Sequence, residues 1–139
     1  MSQLRQIVEE FRDYIEEERP GPLQRNAAGI QVYRDGHDYL KEHTELDPTS
    51  HCEADIVSLT AGATRKIVIR ERKKSKTDNR APTKRERALF HLEHGDVFIM
   101  GGIRFQNDFT YELPMEKQVS AGRAAVVLRA RKTPDETPQ

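Results

Sequence analysis

His43 and Glu45 stand two residues apart in Leu40-Lys-Glu-His43-Thr-Glu45, shortly after Gln31-Val-Tyr33 and a tight turn at Asp35-Gly36. On an extended backbone, side chains two apart point to the same side, so an imidazole and a carboxylate converge there. Such a pair supplies two of the donors of a non-haem iron site, which needs two histidines and one carboxylate on one face of the metal. Near the C-terminus, Arg123-Ala-Ala-Val-Val-Leu-Arg129 carries two arginines six residues apart on a segment that otherwise reads as a buried strand. They share one face, and burying two guanidiniums calls for an anion.

A third group is defined by charge. Residues 65–87 carry 11 basic and 3 acidic side chains, among them Arg70, Arg72, Lys73, Lys74, Lys76, Lys84, Arg85 and Arg87. Residues 1–60 carry 13 acidic and 6 basic, so the balanced total of 23 against 23 conceals a strongly basic segment. That excess can neutralise several phosphates, which predicts salt-dependent, sequence-independent binding of nucleic acid; an acidic protein partner would meet the same charge. Cys52 is the single cysteine, so no internal disulfide forms and a reducing compartment is compatible. It has no His and carboxylate companions that would make it a nucleophile, and it reads as a small half-buried residue.

The elements that must position these groups follow from hydrophobic spacing. Leu4, Ile7, Val8, Phe11, Tyr14 and Ile15 recur at three- and four-residue steps and predict a helix over 2–18, ended at Arg19-Pro20-Gly21. From Ile30 onward the pattern predicts short strands at 30–33, 55–60, 66–70, 88–92, 97–100, 109–113 and 124–130, separated by Gly, Pro, Asn and Asp turns. One helix followed by many short strands predicts an antiparallel barrel or sandwich with the helix outside. With 139 residues and 35% hydrophobic content, one domain is expected over 1–132, and the polar segment 133–139 is expected to carry no structure. No apolar run reaches the length of a membrane span and no signal-peptide core opens the chain, so a soluble intracellular protein of cytoplasm or nucleus is expected, without a membrane partner.

The ordered motifs resemble the AlkB family of Fe(II)/2-oxoglutarate dioxygenases. They are Gln31-Val-Tyr33, Asp35-Gly36, His43-Thr-Glu45, Ser58-Leu-Thr-Ala-Gly62-Ala-Thr-Arg65, Leu92-Glu-His94-Gly95-Asp96, Met100-Gly101, Leu113-Pro114 and Arg123 to Arg129. The resemblance implies a mainly β, α+β chain folded as a double-stranded β-helix, or jelly roll, with the N-terminal helix packed outside. It implies Fe(II) and 2-oxoglutarate as cofactors, with His43 and Glu45 on the metal, Tyr33 and Arg123 on the distal carboxylate of the keto acid, and Arg129 on the end near the metal. Gln31 stands where the family has Asn and Glu45 where it has Asp. Tyr111 stands at the position of the distal iron histidine, and Ala125 and Val127 replace two polar contacts to the keto acid. A neutral phenol is a poor Fe(II) ligand, and His51, His91 and His94 could supply nitrogen only on a different backbone course.

Two functions follow from the resemblance. The first is a dioxygenase that oxidises alkylated or unmodified bases, as in DNA repair. The alternative is a catalytically inactive pseudoenzyme, a nucleic-acid- or protein-binding subunit acting through residues 65–87. The family's nucleotide-recognition lid lies upstream of the helix at 2–18, so either a protein partner supplies it or the chain does not process bases. A weaker third possibility is a sensor in which the retained arginines bind another carboxylate.

Overall fold

The computed structural model describes residues 2–21, 23–72 and 86–136. Helix α1 (Gln3–Glu18) opens the chain. The Ser2 Oγ caps it by accepting from the Arg5 N–H at 3.3 Å, and the Arg19 N–H closes the last turn on the Ile15 carbonyl at 2.8 Å. Strands β1 (Ala27–Tyr33), β2 (Leu40–His43), β3 (Ile56–Gly62), β4 (Arg65–Glu71), β5 (Glu86–Leu92) and β6 (Val97–Met100) follow. Helix α2 (Gly102–Asp108) then leads into β7 (Phe109–Leu113) and β8 (Arg123–Arg129). The strands pair antiparallel in two four-stranded sheets, ordered β1-β8-β3-β6 and β2-β7-β4-β5. This is the expected jelly roll.

All seven strands expected from the sequence are present, with ends displaced by at most three residues. Two elements were not expected. Strand β2 has one apolar residue, Leu40, and its register against β7 is irregular between Leu40 and His43, so it lacks the alternation that marks a strand. Helix α2 begins at Gly102, whose φ of +67° and close approach to the Glu53 carbonyl oxygen, 2.8 Å from an added Cβ, require glycine. The tail expected to carry no structure also departs from that reading over Pro134–Glu136, which form a 3-10 turn. There the Thr133 N–H and hydroxyl both donate to the Glu136 carboxylate, at 3.1 and 3.0 Å, and His51 Nε2 stands 3.0 Å from it. Residues 137–139 lie outside the described residues.

Strand β8 is buried on both faces. Ala125 and Val127 join Ile56, Ile67, Ile69, Leu92, Met100 and Tyr111 in the core between the sheets. Val126 and Leu128 point the other way and pack with Val57 beneath Phe11 and Ile15 of α1. That double burial is why the segment reads as a continuous apolar run. Each of Phe11 and Ile15 stabilises the packing by roughly 1.5–3 kcal/mol through the surface it removes from water. The inward row of β8 thus runs Arg123, Ala125, Val127, Arg129, with charge only at its two ends.

A buried ion pair fastens one end of the sandwich. Arg65 is 1% exposed and donates through Nε to Glu116 Oε2 at 2.9 Å, through Nη1 to the Asp35 carbonyl at 3.0 Å, and through Nη2 to the carbonyls of Asp38 and Pro114 at 2.8 and 2.9 Å. Glu116 Oε2 also accepts from the Lys66 N–H at 2.9 Å. Arg65 opens the basic segment, yet its charge is spent inside the molecule. Gly36 lies in the same knot, donating to the Val119 carbonyl at 2.7 Å and accepting from the Glu116 N–H at 2.8 Å.

Candidate functional site

Tyr33 of β1 pairs with Arg123 of β8, and Gln31 with Ala125, so the inward side chains of both strands meet between the sheets. With Tyr111 and Ser58 they line a cavity of about 30 Å³ whose remaining walls are apolar, among them Ile67, Phe98, Ala125 and Val127. Arg123 is 5% exposed. Its Nη1 reaches the Leu92 carbonyl only at 3.5 Å, and its Nε has no hydrogen-bond partner. The Tyr33 ring lies 5.9 Å from the Arg123 guanidinium and 5.7 Å from that of Arg65. Burial depresses the pKa of Arg123 and the neighbouring Arg65 charge adds to this, while burial raises that of Tyr33 against both arginines. A guanidinium held dry with an unused donor is a strong carboxylate receptor.

The second cluster lies on the other side of Tyr111. His43 ends β2 with its Nδ1 on the Lys41 carbonyl at 2.6 Å and its Nε2 3.3 Å from Glu45 Oε1. Arg129, from the far end of β8, donates to both carboxylate oxygens, Nη2 to Oε1 at 3.0 Å and Nε to Oε2 at 3.3 Å. The Tyr111 hydroxyl donates to the same Oε1, and the His43 and Tyr111 rings meet at a tilt of 52° with centroids 4.2 Å apart. Burial pushes the Glu45 pKa up, but the bonds from His43, Tyr111 and Arg129 outweigh it and hold the carboxyl at about 2. Burial lowers the His43 pKa, and its bonds to Glu45 and the Lys41 carbonyl raise it further than burial lowers it. Tyr111 is driven far above the usual phenol range, first by burial and then by the Glu45 carboxylate beside it, so it stays protonated.

The sequence-derived residues therefore fall into two groups joined by Tyr111. Gln31, Tyr33 and Arg123 line the cavity, while His43, Glu45 and Arg129 form the charged cluster beyond it. Gln106 was not among the residues expected at the site. This α2 residue is 1% exposed, its Oε1 accepts from the Glu45 N–H at 2.8 Å, and its Nε2 has no partner. Its one signal was the apolar spacing of Gly102, Phe105 and Phe109 around it, a short amphipathic turn.

Other candidates lie elsewhere. His91 is exposed on β5, and His94 Nδ1 accepts from the Gly62 N–H at 3.0 Å, so neither reaches Glu45. His51 pairs with Glu53 and Glu136. Cys52 is half-buried with its thiol 3.6–3.8 Å from the carbonyls of Glu45, Asp47 and Ser50. Of the basic residues, Arg70 binds Glu112 at 2.6 Å and is largely covered, and Arg87 pairs with Glu71. Arg72 donates its backbone N–H to the Asp108 carbonyl at 2.8 Å with its side chain half-buried. Lys73, Lys74, Lys76, Lys84 and Arg85 lie outside the described residues.

The family model of the 2OG-Fe(II) oxygenase superfamily matches residues 1–129. The chain belongs to that superfamily. Among 56 matching chains of solved structures is one described as "The structure of OsALKBH1". Its TM-score is 0.57 at 16% identity, and the alignment covers 91% of this chain and 60% of that one. At this identity the likeness shows the fold, an AlkB-like jelly roll, and the chain spans about 60% of the length of that structure. No curated protein matches the sequence.

Within this oxygenase fold, the residues present fit one half of the family's cofactor chemistry. Arg123, with its unused Nε and the adjacent Tyr33, suits an organic carboxylate. The metal end does not fit Fe(II). Glu45 already accepts from Arg129 and Tyr111 and lies against His43, and Tyr111 offers a protonated phenol where a third ligand belongs. Among the described residues, no group of three His, Cys, Asp or Glu side chains could hold a metal. No helix among them is long and apolar enough to cross a membrane.

Proposed function

We propose that this chain is a non-catalytic member of the 2OG-Fe(II) oxygenase superfamily, a pseudoenzyme that uses the jelly-roll cavity to bind an organic carboxylate. The observation that carries this reading is the internal occupation of the metal position. Arg129, Tyr111 and His43 converge on Glu45, so the carboxylate that would face a metal is neutralised by the chain itself. Bringing Fe(II) to Glu45 would require breaking a largely buried ion pair, which costs several kcal/mol. The carboxylate-receiving end is retained, because Arg123 stays buried with an unused donor. The protein incubated with Fe(II), ascorbate and 2-oxoglutarate, with and without oligonucleotides, is expected to form no succinate above a protein-free control. Succinate formed in multiple turnovers would overturn the reading.

A second reading keeps catalysis, with His43 and Glu45 on iron and Tyr33, Arg123 and Arg129 on the keto acid. Family membership and the convergence of these five residues near Tyr111 support it. In either reading, nucleic acid is the proposed macromolecular partner, on the strength of the charge in residues 65–87.

A further inference from the structure

Among the described residues, the charges around the cavity leave one cation without a carboxylate in contact. Arg65 and Arg123 flank Tyr33, and the carboxylate of that end, Glu116, is held by Arg65 and by the Lys66 N–H. At the other end Arg129 is matched by Glu45. Arg129 and the His43 imidazole share Glu45 at the far end, whereas Arg123 at the near end has no carboxylate in contact among the described residues, and its Nε is buried and unpartnered. One carboxylate on a ligand answers that donor.

The rest of the cavity repels a second one. Between the two arginines, the inward positions of β8 are Ala125 and Val127, and the opposite wall is Ile67 and Phe98. A second carboxylate laid along this wall would meet no charged partner and only the Ser58 hydroxyl, since that of Tyr111 is given to Glu45, so most of its lost hydration would go unreplaced. The volume of about 30 Å³, against roughly 10–15 Å³ for a single water, is room for two or three waters, so even a short acid enters by moving the wall and a five-carbon diacid must move it further. We infer that the cavity selects a short apolar monocarboxylate, bound by Arg123, Tyr33 and Gln31, over the five-carbon keto diacid of the superfamily. This rests on the non-catalytic, carboxylate-binding reading above and narrows its ligand.

The test uses the full chain, with EDTA present, titrated by calorimetry and by ligand-observed NMR with propionate, butyrate, glutarate and 2-oxoglutarate. Butyrate or propionate is expected to bind at least about tenfold tighter than either diacid, roughly the worth of one charge-assisted hydrogen bond. Arg123→Met is expected to abolish that binding. Glu45→Gln, which releases Arg129, is expected to narrow the preference by improving the diacids. The wild-type rank order needs no variant to fold. Equal or tighter binding of glutarate or 2-oxoglutarate in EDTA overturns the inference and leaves the non-catalytic reading standing. Absence of binding by all four acids at millimolar concentration overturns the inference together with the carboxylate-binding half of that reading, and leaves the loss of catalysis to the succinate assay. Binding of 2-oxoglutarate only when Mn(II) is added overturns both.

Discussion

Glu45 accepts from Tyr111 and Arg129 and lies against His43, and the acid–base behaviour of the cluster follows from those contacts. Its pKa falls from an ordinary 4.5 to about 2, so its stabilising contribution is complete above 4.5 and is lost as pH falls toward 2. The size of that contribution is on the order of 3 kcal/mol. His43 is raised above its ordinary 6.5, so its contribution is complete below 6.5 and is lost as pH rises through the higher folded value. The cluster is therefore most stabilising between these two limits. Thermal denaturation across pH should show both limbs in the wild type and only the acid limb for His43→Gln, while Glu45→Gln should lose the alkaline limb and shrink the acid one, to which Asp35, Asp38, Asp47 and Glu136 still contribute. A wild-type profile unchanged by Glu45→Gln would contradict this account. Tyr111 sets the chemistry of the same cluster. Replacing Tyr111→His together with Glu45→Asp supplies an imidazole and shortens the carboxylate arm, and Mn(II) affinity measured by calorimetry should rise by more than about tenfold.

Elements explain what the sequence could and could not show. Arg123 and Arg129 were legible because a strand has period two, which puts them on one face whatever their rotamers. The pairing of Arg129 with Glu45 was not, since 84 residues separate them and long side chains choose partners only after the sheets assemble. Helix α2 was hidden behind the Gly101-Gly102 turn signal, and with it Gln106. Arg65 was counted with the basic segment, although its position at the inward start of β4 buries it against Glu116. The knot it forms yields a sharp prediction. A Cβ at Gly36 would lie 1.7 Å from the Glu116 carbonyl oxygen, so the backbone must move to admit one. Gly36→Ala should destabilise the fold by about 3 kcal/mol in urea denaturation, and a loss below about 0.5 kcal/mol would show that the turn adjusts freely. The basic segment between β4 and β5 calls for a separate experiment. Because Arg70 and Arg87 already pair with Glu112 and Glu71, nucleic-acid affinity should depend on the neighbouring lysines. Lys73→Glu, Lys74→Glu and Lys76→Glu together should weaken binding to DNA and RNA of any sequence and lower the salt slope. Unchanged affinity in a low-salt gel-shift titration would remove the segment as an interface.

At the scale of the whole molecule, the jelly roll brings the two ends of one strand, β8, to two different tasks. One end offers a buried guanidinium without a carboxylate in contact among the described residues, and the other closes on a carboxylate of its own chain. Fold and family were legible from ordered short motifs spread over most of the chain, because turn residues and alternation survive substitution at the site. The departures at the metal position were legible as Tyr111 and Glu45, and the bond between them emerged once the phenol was found donating to Glu45. The most direct test of the central claim is a calorimetric titration of the wild-type protein with Mn(II), a redox-silent stand-in for Fe(II), under anaerobic conditions with 2-oxoglutarate present. The account predicts no saturable binding at micromolar metal. One equivalent of Mn(II) bound with micromolar or tighter affinity, and lost in Glu45→Gln, would contradict it.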